Sequence, residues 1–226
     1  MKSGLKSLGK IALLVVCMAL LAISASAVTM AFLTDTDEDI NTFVLGDVEI
    51  TLDEAKVTPN GVPVVENGEQ LRTSESNLYQ LVPGGSYTKD PTVTVKGGGS
   101  EAYVRMVVTV KGLKQIKEVF GDSFDPEKFI EGWEKDIWIY YGTEENAENN
   151  TVTYEFRYYK TVEGSETDFK LEPLFTTFVV PKDITTEDVK ILAENINISV
   201  AGNGIQAAGF ENEDEAWESF DIQISG

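Results

Sequence analysis

The chain has 226 residues, with 18 Lys plus Arg against 38 Asp plus Glu, and its formal net charge is -20. It contains no His and a single Cys. These counts exclude His-dependent nucleophiles and zinc helices, an internal disulfide and a Cys-based metal cage. The negative charge argues against nucleic-acid binding, because phosphates are bound through Lys and Arg. A hydrophobic fraction of 42% is too high for a disordered acidic tail, so we expect one globular domain or at most two.

The first 31 residues have the layout of a secretory signal peptide. Lys2, Lys6 and Lys10 precede an apolar run over residues 11–23, and small residues follow at 24–27. An uncleaved membrane anchor is the alternative, because about 20 apolar residues span a bilayer. Cleavage is favoured, since small residues end the run and no basic stop-transfer cluster follows. We therefore predict an exported chain that leaves the membrane after cleavage.

Removal of residues 1–31 changes the charge and the cysteine content. The leader carries three Lys and no acid, so the remaining chain has 15 basic and 38 acidic residues, a net charge of -23. Cys17 lies in the leader, so the mature chain has no Cys. The sequence predicts an acidic, disulfide-free secreted protein.

Most of the mature chain has strand periodicity. Val48, Ile50 and Leu52 alternate with acidic and Thr residues, which places one apolar row on one face of a strand. The residues 97–99, Gly-Gly-Gly, predict a flexible turn. Further β-branched or aromatic runs predict strands over residues 92–95, 103–110, 136–141, 151–160, 174–180 and 196–200.

Helical signals are fewer and shorter. Asp125 and Pro126 predict an N-cap followed by a helix over residues 127–134. Thr185 and its neighbours predict the start of a second helix, and residues 113–120 and 213–220 have helical spacing. Polar connections are expected at 57–77, as a long excursion or hairpin, and at 142–150, as a loop.

The predicted fold class is mainly β, as an antiparallel jelly-roll-like sandwich with a few short helices in the connections.

The acidic residues after the leader offer one weak metal pattern. Asp35, Asp37 and Asp39 have the alternating spacing with which a calcium loop of the EF-hand type opens. Ile40 then stands where that loop needs Gly, and Gly46 where it needs a bidentate Glu. We interpret the segment as a solvated acidic stretch, with calcium binding as the alternative and no other cofactor expected.

Catalytic patterns are absent from the sequence. Paired carboxylates hydrolyse glycosides across a cleft, but the sequence nominates no pair among its 38 acids. The mature chain has no Ser-x-x-Lys helix opening, and the glycines at 97–99 lack the Lys and Ser or Thr of a phosphate loop. We expect no catalytic residue and no enzyme.

The residues around the leader boundary carry a family resemblance. Ala-Phe-Leu-Thr-Asp at 31–35, Asn-Thr-Phe at 41–43, Gly46 and the alternating run at 48–52 resemble the start of the TasA/camelysin (CalY) family. The turn at 81–87 resembles the Pro-Gly-Asp turn of the family, although a second Gly replaces the Asp. Members of that family are exported biofilm-matrix fibre subunits of Gram-positive bacteria, processed by a SipW-type signal peptidase.

The resemblance implies processing, location and partners. It implies cleavage by a SipW-type signal peptidase between Ala31 and Phe32, with Ala27 and Val28 flanking the competing site. It also implies a jelly-roll core over residues 53–226 and a place in the extracellular matrix or at the cell surface. Some camelysin-like relatives carry a metallopeptidase label, which this chain does not match because it has no His.

Fibres of the TasA group are understood to form by donor-strand exchange, which implies that residues 32–52 act as the donor. Main-chain hydrogen bonds would give affinity, and the acids at 35–39 would limit promiscuous pairing. Residues 43–52 as an ordinary first strand of their own domain are an equal alternative, because both kinds of strand have the same period. The donor side chains would be Phe32, Leu33, Phe43, Leu45, Val48, Ile50 and Leu52.

The sequence thus predicts a secreted structural protein that self-associates into a homopolymeric extracellular fibre. A minor matrix subunit is a further candidate partner. The alternative is a non-polymerising cell-surface binding module for a glycan or a protein.

Overall fold

The computed structural model describes residues 41–45, 47–122, 124–163 and 165–225. The helices in this part of the chain are α1 (Leu113–Phe120), a 3-10 helix (Pro126–Phe129), α2 (Thr186–Asn195) and α3 (Glu213–Ser225). The strands are β1 (Asn41–Leu45), β2 (Ile50–Ala55), β3 (Val65–Glu66), β4 (Glu69–Gln70), β5 (Arg72–Thr73), β6 (Ser86–Thr88), β7 (Thr92–Val95), β8 (Ala102–Lys111), β9 (Ile130–Glu131), β10 (Trp138–Asn146), β11 (Thr151–Tyr158), β12 (Phe169–Lys170), β13 (Thr177–Val179) and β14 (Asn197–Gln206).

The largest sheet has five strands in the order β1-β14-β8-β11-β10. Strands β14, β8, β11 and β10 are antiparallel neighbours, whereas β1 joins β14 in parallel. A second sheet has the order β12-β7-β2-β5, a third has β6-β13-β9, and β3 and β4 form a hairpin. The prediction of a mainly β protein with antiparallel sheets is confirmed.

The main core lies on one face of the five-stranded sheet. Alternate residues of β8, including Val104 and Met106, are buried in one cluster with Ile50 and Leu52 of β2 and Val93 of β7. This follows from the period of two in all three strands, which directs every second side chain to the same side. We call this face the inner face.

Two glycines of β14 bring the second sheet close to the inner face. A Cβ atom placed on Gly204 would lie 3.2 Å from Cγ1 of Val48 and 3.3 Å from Cγ2 of Ile50. A Cβ atom on Gly202 would lie 3.2 Å from Cγ2 of Val93. The neighbouring side chains thus occupy the space that a side chain on β14 would need.

Helix α3 covers the opposite face of the sheet. Its Trp217 and Phe220 are buried against Ile205 of β14. Arg105 of β8 is also buried there, with its guanidinium 4.5 Å from the centroid of the Trp217 ring. The Arg105 Nε donates to Asn203 Oδ1 at 2.9 Å, and the guanidinium also pairs with Asp221. The buried charge is thus both stacked and hydrogen-bonded, as burial of an ion requires.

Three of the four predicted helices form. Helix α1 has the predicted bounds, and α3 continues five residues beyond the predicted end at 220 to Ser225. Helix α2 begins with a capping box, in which Thr185 Oγ1 accepts from the Asp188 backbone at 3.1 Å and the Asp188 carboxylate accepts from the Thr185 backbone at 2.8 Å. Among the described residues, no helix is long and apolar enough to cross a membrane.

The prediction of a helix over residues 127–134 was wrong. Asp125 is the N-cap as expected, and its side chain accepts a hydrogen bond from the Glu127 backbone at 3.1 Å. Only the short 3-10 helix follows it. Ile130 then pairs with Phe178 as part of β9, and Gly132 takes a left-handed φ of 78°. Strand pairing and the positive φ both end the helical path there.

Several strand and loop boundaries differ from those predicted. The runs on either side of Gly97 lie in different sheets, since β7 belongs to the second sheet and β8 to the first. Of the strand predicted at 174–180, only Thr177–Val179 forms a strand, β13. The strand predicted at 196–200 is longer than expected, because β14 continues to Gln206. The loop predicted at 142–150 is partly strand, because β10 continues to Asn146.

Candidate functional site: the edges of the five-stranded sheet

Strand β1 forms one edge of the five-stranded sheet in the part of the chain that the structure describes. It runs parallel to β14, in a register from Asn41 opposite Ala201 to Leu45 opposite Ile205. Parallel pairing places evenly spaced main-chain hydrogen bonds along the five residues. A strand held at an edge in this way is what β-strand addition supplies between two chains.

The chain is tied to the body of the protein immediately after β1. The Asp47 carbonyl accepts from the Ser100 backbone at 2.8 Å, and the Glu49 carbonyl accepts from the Lys96 backbone at 2.8 Å. Val48, between them, is 6% exposed and belongs to the main core. The connection that begins after Leu45 is therefore anchored from Asp47 onward.

The structure divides the predicted donor segment between two sheets. Val48, Ile50 and Leu52 are 6%, 4% and 3% exposed and are buried in the core of their own chain. Phe43 and Leu45 belong to β1, in the other sheet. The family resemblance, together with the shared period of two, joined these residues into one segment. The polar Asp47 and the preceding glycine, between two apolar runs, were the signal that two strands are present.

The remaining predicted site residues lie outside the described residues. They are Ala27, Val28, Ala31 and Phe32 of the alternative cleavage sites, Leu33 of the donor segment, and Asp35, Asp37 and Asp39 of the acidic stretch.

In the part of the chain that the structure does describe, no group of three or more His, Cys, Asp or Glu is placed to hold a metal ion.

Strand β10 forms the opposite edge and differs from β1. Its pairing with β11 is interrupted by a bulge between Tyr140 and Gly142. Tyr141 is 50% exposed, and its ring lies 3.2 Å from the guanidinium of Arg157. The Tyr141 hydroxyl donates to Asp214, and this hydrogen bond, followed by that from Arg157, lowers the pKa of Asp214. A bulge and side chains fixed along an edge both hinder the addition of another strand.

A buried ionic cluster joins β2 to the segment that follows it. Glu54 is fully buried, and its carboxylate accepts from Lys89 Nζ at 2.6 Å and from Asn77 Nδ2 at 2.7 Å. Arg72 pairs with Asp90 at 2.7 Å beside it. This cluster was not predicted from the sequence, although Glu54 falls on the apolar face of β2, two residues after Leu52. Its acids are engaged by cations and amides, so the cluster acts as a structural tie.

Comparison of the chain with protein-family models, with curated proteins and with solved structures finds no match.

Proposed function

We propose that this protein is a secreted structural subunit that assembles into an extracellular fibre by exchange of its N-terminal strand, around a jelly-roll-like body. The observation that supports this most is β1, a five-residue parallel strand at the end of a sheet. It is followed directly by a segment anchored in the core, from Asp47. A short edge strand beside a fixed body is the arrangement that strand exchange uses.

Exchange replaces one set of hydrogen bonds by an equivalent set. The main-chain bonds between β1 and β14 are the same whether both strands belong to one chain or to two, so the swap costs little free energy of pairing. If β1 of one subunit pairs with β14 of the next, the contact is head to tail, and repetition gives a filament. The body keeps its core, because Val48 and Ile50 stay in place.

The donor is consequently narrower than residues 32–52. Ile50 and Leu52 pair with Val95 and Val93 of β7 within their own chain, so they belong to the acceptor body. The proposed donor is residues 32–45, and the change of direction on exchange falls between Leu45 and Asp47.

Charge is expected to control assembly. The mature chain carries a net charge of -23 after loss of residues 1–31, so subunits repel one another. Salt screens this repulsion, calcium neutralises it, and protonation removes it near the sequence pI of about 4.3. Fibres should therefore form faster under each of these conditions.

Electron microscopy and size-exclusion chromatography of the exported protein test the proposal. Successive N–H groups of a strand point to alternate sides, so the double variant Phe43→Pro/Val44→Pro removes a main-chain donor to β14, whereas Phe43→Tyr/Val44→Thr keeps the backbone donors. We expect fibres from the native chain and from Phe43→Tyr/Val44→Thr, and stable monomers from Phe43→Pro/Val44→Pro. Persistent native monomers across a range of salt, calcium and pH would contradict fibre assembly and favour a non-polymerising surface-binding module.

The export step has a separate test. Removal of residues 1–31 by a SipW-type signal peptidase predicts Phe32 at the N-terminus of the exported form. N-terminal sequencing distinguishes this from a start at Val28. A chain that keeps residues 1–31 would contradict the proposed donor, because its strand would be tethered to a membrane segment.

A further inference from the structure

A cavity of about 520 Å³ lies at one end of the inner face of the five-stranded sheet. Val110 of β8 and Val152 of β11 form its floor, and Ile116 of α1 and Leu192 of α2 contribute to its cover. Strand β8 has ten residues, whereas β2 has six and β7 four. The longer strands of the first sheet therefore extend beyond β2 and β7, to a region covered by helices and by β9 and β13 of the third sheet.

Aromatic side chains form much of the cavity wall. Phe120, Phe124 and Phe129 pack on one another with ring centroids 4.7 to 5.6 Å apart. The Trp133 ring meets Phe156 at 5.2 Å, and its Nε1 donates to a backbone carbonyl at 2.8 Å, so its polar atom is satisfied within the protein. These rings offer dispersion contacts and no directional polar contact to a molecule inside.

The buried polar groups of the cavity wall offer a ligand few hydrogen bonds. Among the described residues, the buried side-chain polar atoms without a partner are Asn197 Oδ1 and Trp217 Nε1, and neither residue lines the cavity. Burial raises the pKa of Tyr154, which does line it, to about 12. The buried apolar part of such a site accepts hydrocarbon and disfavours groups that need hydrogen bonds.

The acidic residues around the cavity outnumber the lysines by one. The two lysines in the lining are both paired, Lys117 with Glu145 at 2.6 Å and Lys89 with Glu54 at 2.6 Å. Two lysines outside the lining also pair with acids of the wall, Lys128 with Asp125 at 3.9 Å and Lys135 with Glu127 at 2.5 Å. The lining acids are Asp122, Asp125, Glu127 and Glu145, and together with Glu54 they exceed the four lysines by one negative charge, at Asp122. A negatively charged head group would be repelled at this opening, and a neutral or positive one would not.

We propose that the cavity binds a small amphiphile with a hydrocarbon body and a neutral or positively charged polar end. Its volume lies within the range of roughly 300–1,000 Å³ typical of small-molecule sites. An engineered apolar cavity of about 150 Å³ stays dry and binds benzene, so a larger apolar cavity has room for a longer hydrocarbon. The site lies on the inner face, away from the β1–β14 pairing, and is independent of fibre assembly.

Fluorescence of the neutral probe N-phenyl-1-naphthylamine with the purified chain tests the site. We expect saturable binding of one probe per chain. Dodecyltrimethylammonium and dodecanol, kept below micelle-forming concentrations, should displace the probe at concentrations at least tenfold lower than dodecanoate does. Failure of the probe to bind, or equal competition by dodecanoate and the cationic amphiphile, would overturn the proposal.

Substitutions separate the cavity from general attraction of amphiphiles to an acidic protein. Val110→Phe fills the cavity and should weaken probe binding at least tenfold. Thr109→Phe adds a ring of the same size at the adjacent position, which does not line the cavity, and should bind as the native chain does. Unchanged binding in a folded Val110→Phe chain overturns the proposal, and so does an equal loss of binding in the two variants.

A surface variant keeps the test valid if Val110→Phe does not fold. Asp122 is exposed beside the cavity, so Asp122→Lys leaves the core intact and should shift the competition toward dodecanoate by several fold. Glu69→Lys on the exposed β3–β4 hairpin makes the same change in net charge away from the cavity. Equal shifts in the two variants would overturn the assignment of head-group selection to the cavity.

Discussion

The two ends of the inner face are packed in opposite ways. At one end, which we call the packed end, the side chains of Val48, Ile50 and Val93 pack directly against Gly202 and Gly204 of β14, with no room for a further side chain. At the other, the cavity end, a partly open cavity of about 520 Å³ lies between the sheet and its cover. One continuous sheet therefore supports both a close-packed core and a partly open cavity.

The difference arises from what covers each end. Strands β2 and β7 lie on the packed end, and their side chains interdigitate with those of the sheet as in other sheet-on-sheet cores. Helices α1 and α2 cover the cavity end, together with the 3-10 helix, strands β9 and β13 and the neighbouring loops. A void left in an otherwise close-packed interior sacrifices dispersion contacts, so the cavity end is expected to contribute less to stability.

The largest effect on stability is expected at the boundary between the two ends. Lys89 lines the cavity, and its partner Glu54 is fully buried on β2. Glu54→Ala leaves the buried ammonium without a carboxylate, which should cost about 3–5 kcal/mol in free energy of unfolding. Urea unfolding measures this cost.

The double variant Glu54→Leu/Lys89→Met is the control for this prediction. It replaces the ion pair with apolar side chains of similar volume, and it should recover most of the lost free energy. A loss below about 1 kcal/mol in Glu54→Ala alone would show that the buried pair does not hold β2 to the segment after it.

A matched pair of enlargements compares the two ends directly. Gly204→Val adds a side chain whose Cβ atom would lie within 3.3 Å of both Val48 and Ile50, so it should destabilise the chain by about 1–3 kcal/mol. Val110→Ile adds one methylene toward the cavity and should be neutral or stabilise by about 0.5–2 kcal/mol. The change in stability of each variant is measured from its urea unfolding midpoint, provided that the m-value is unchanged. Equal destabilisation by the two changes would mean that the ends do not differ in packing.

The smallest expected effect is a local response to acid. Hydrogen bonds from the Thr185 side chain and backbone lower the pKa of Asp188 below its ordinary value of 3.8 at the start of α2, over the cavity end. A hydrogen bond from Lys96 and one from the Gly97 backbone likewise lower the pKa of Asp168, beside β7. Because both pKa values fall on folding, this stabilisation is present above about pH 3.8 and is lost as the pH falls through the lower folded value.

Amide hydrogen exchange measures that response at each end. Near neutral pH, Asp188→Asn should speed exchange in α2 alone, whereas Asp168→Asn should speed exchange near β7 and β12. The difference between each variant and the native chain should shrink below about pH 3.8, as the native carboxyl becomes protonated. If Asp188→Asn speeds exchange equally in both regions, the two ends open as one unit.

Local signals in the sequence were sufficient for many elements. The spacing of Leu113 and Ile116 fixes the apolar face of α1, and the Thr185–Asp188 capping box fixes the start of α2. The pattern at Asp125 and Pro126 was equally local, yet pairing with Phe178 from a distant strand overrode it. Elements that depend on their own residues were predictable, and those decided by a distant partner were not.

The candidate sites depended on contacts between distant parts of the chain. Parallel pairing of Asn41 with Ala201 joins residues 160 positions apart, and an edge strand has no signature in its own residues. The cavity is likewise a property of strands and helices that meet from several parts of the chain. Glu54 was the exception, because its place on the apolar face of β2 is visible in the sequence.

Because β1 pairs with it in parallel, β14 forms main-chain hydrogen bonds along both of its sides. Strand β14 lies between β1 and β8, and successive amide groups of a strand point alternately to its two sides. Departure of β1 would therefore expose every second N–H of residues 201–205 to solvent, while the N–H groups between them stay bonded to β8. Ten consecutive residues thus contain both a probe of strand release and its internal reference. Their exchange rates would time the release of the strand in a single molecule, before any second subunit arrives.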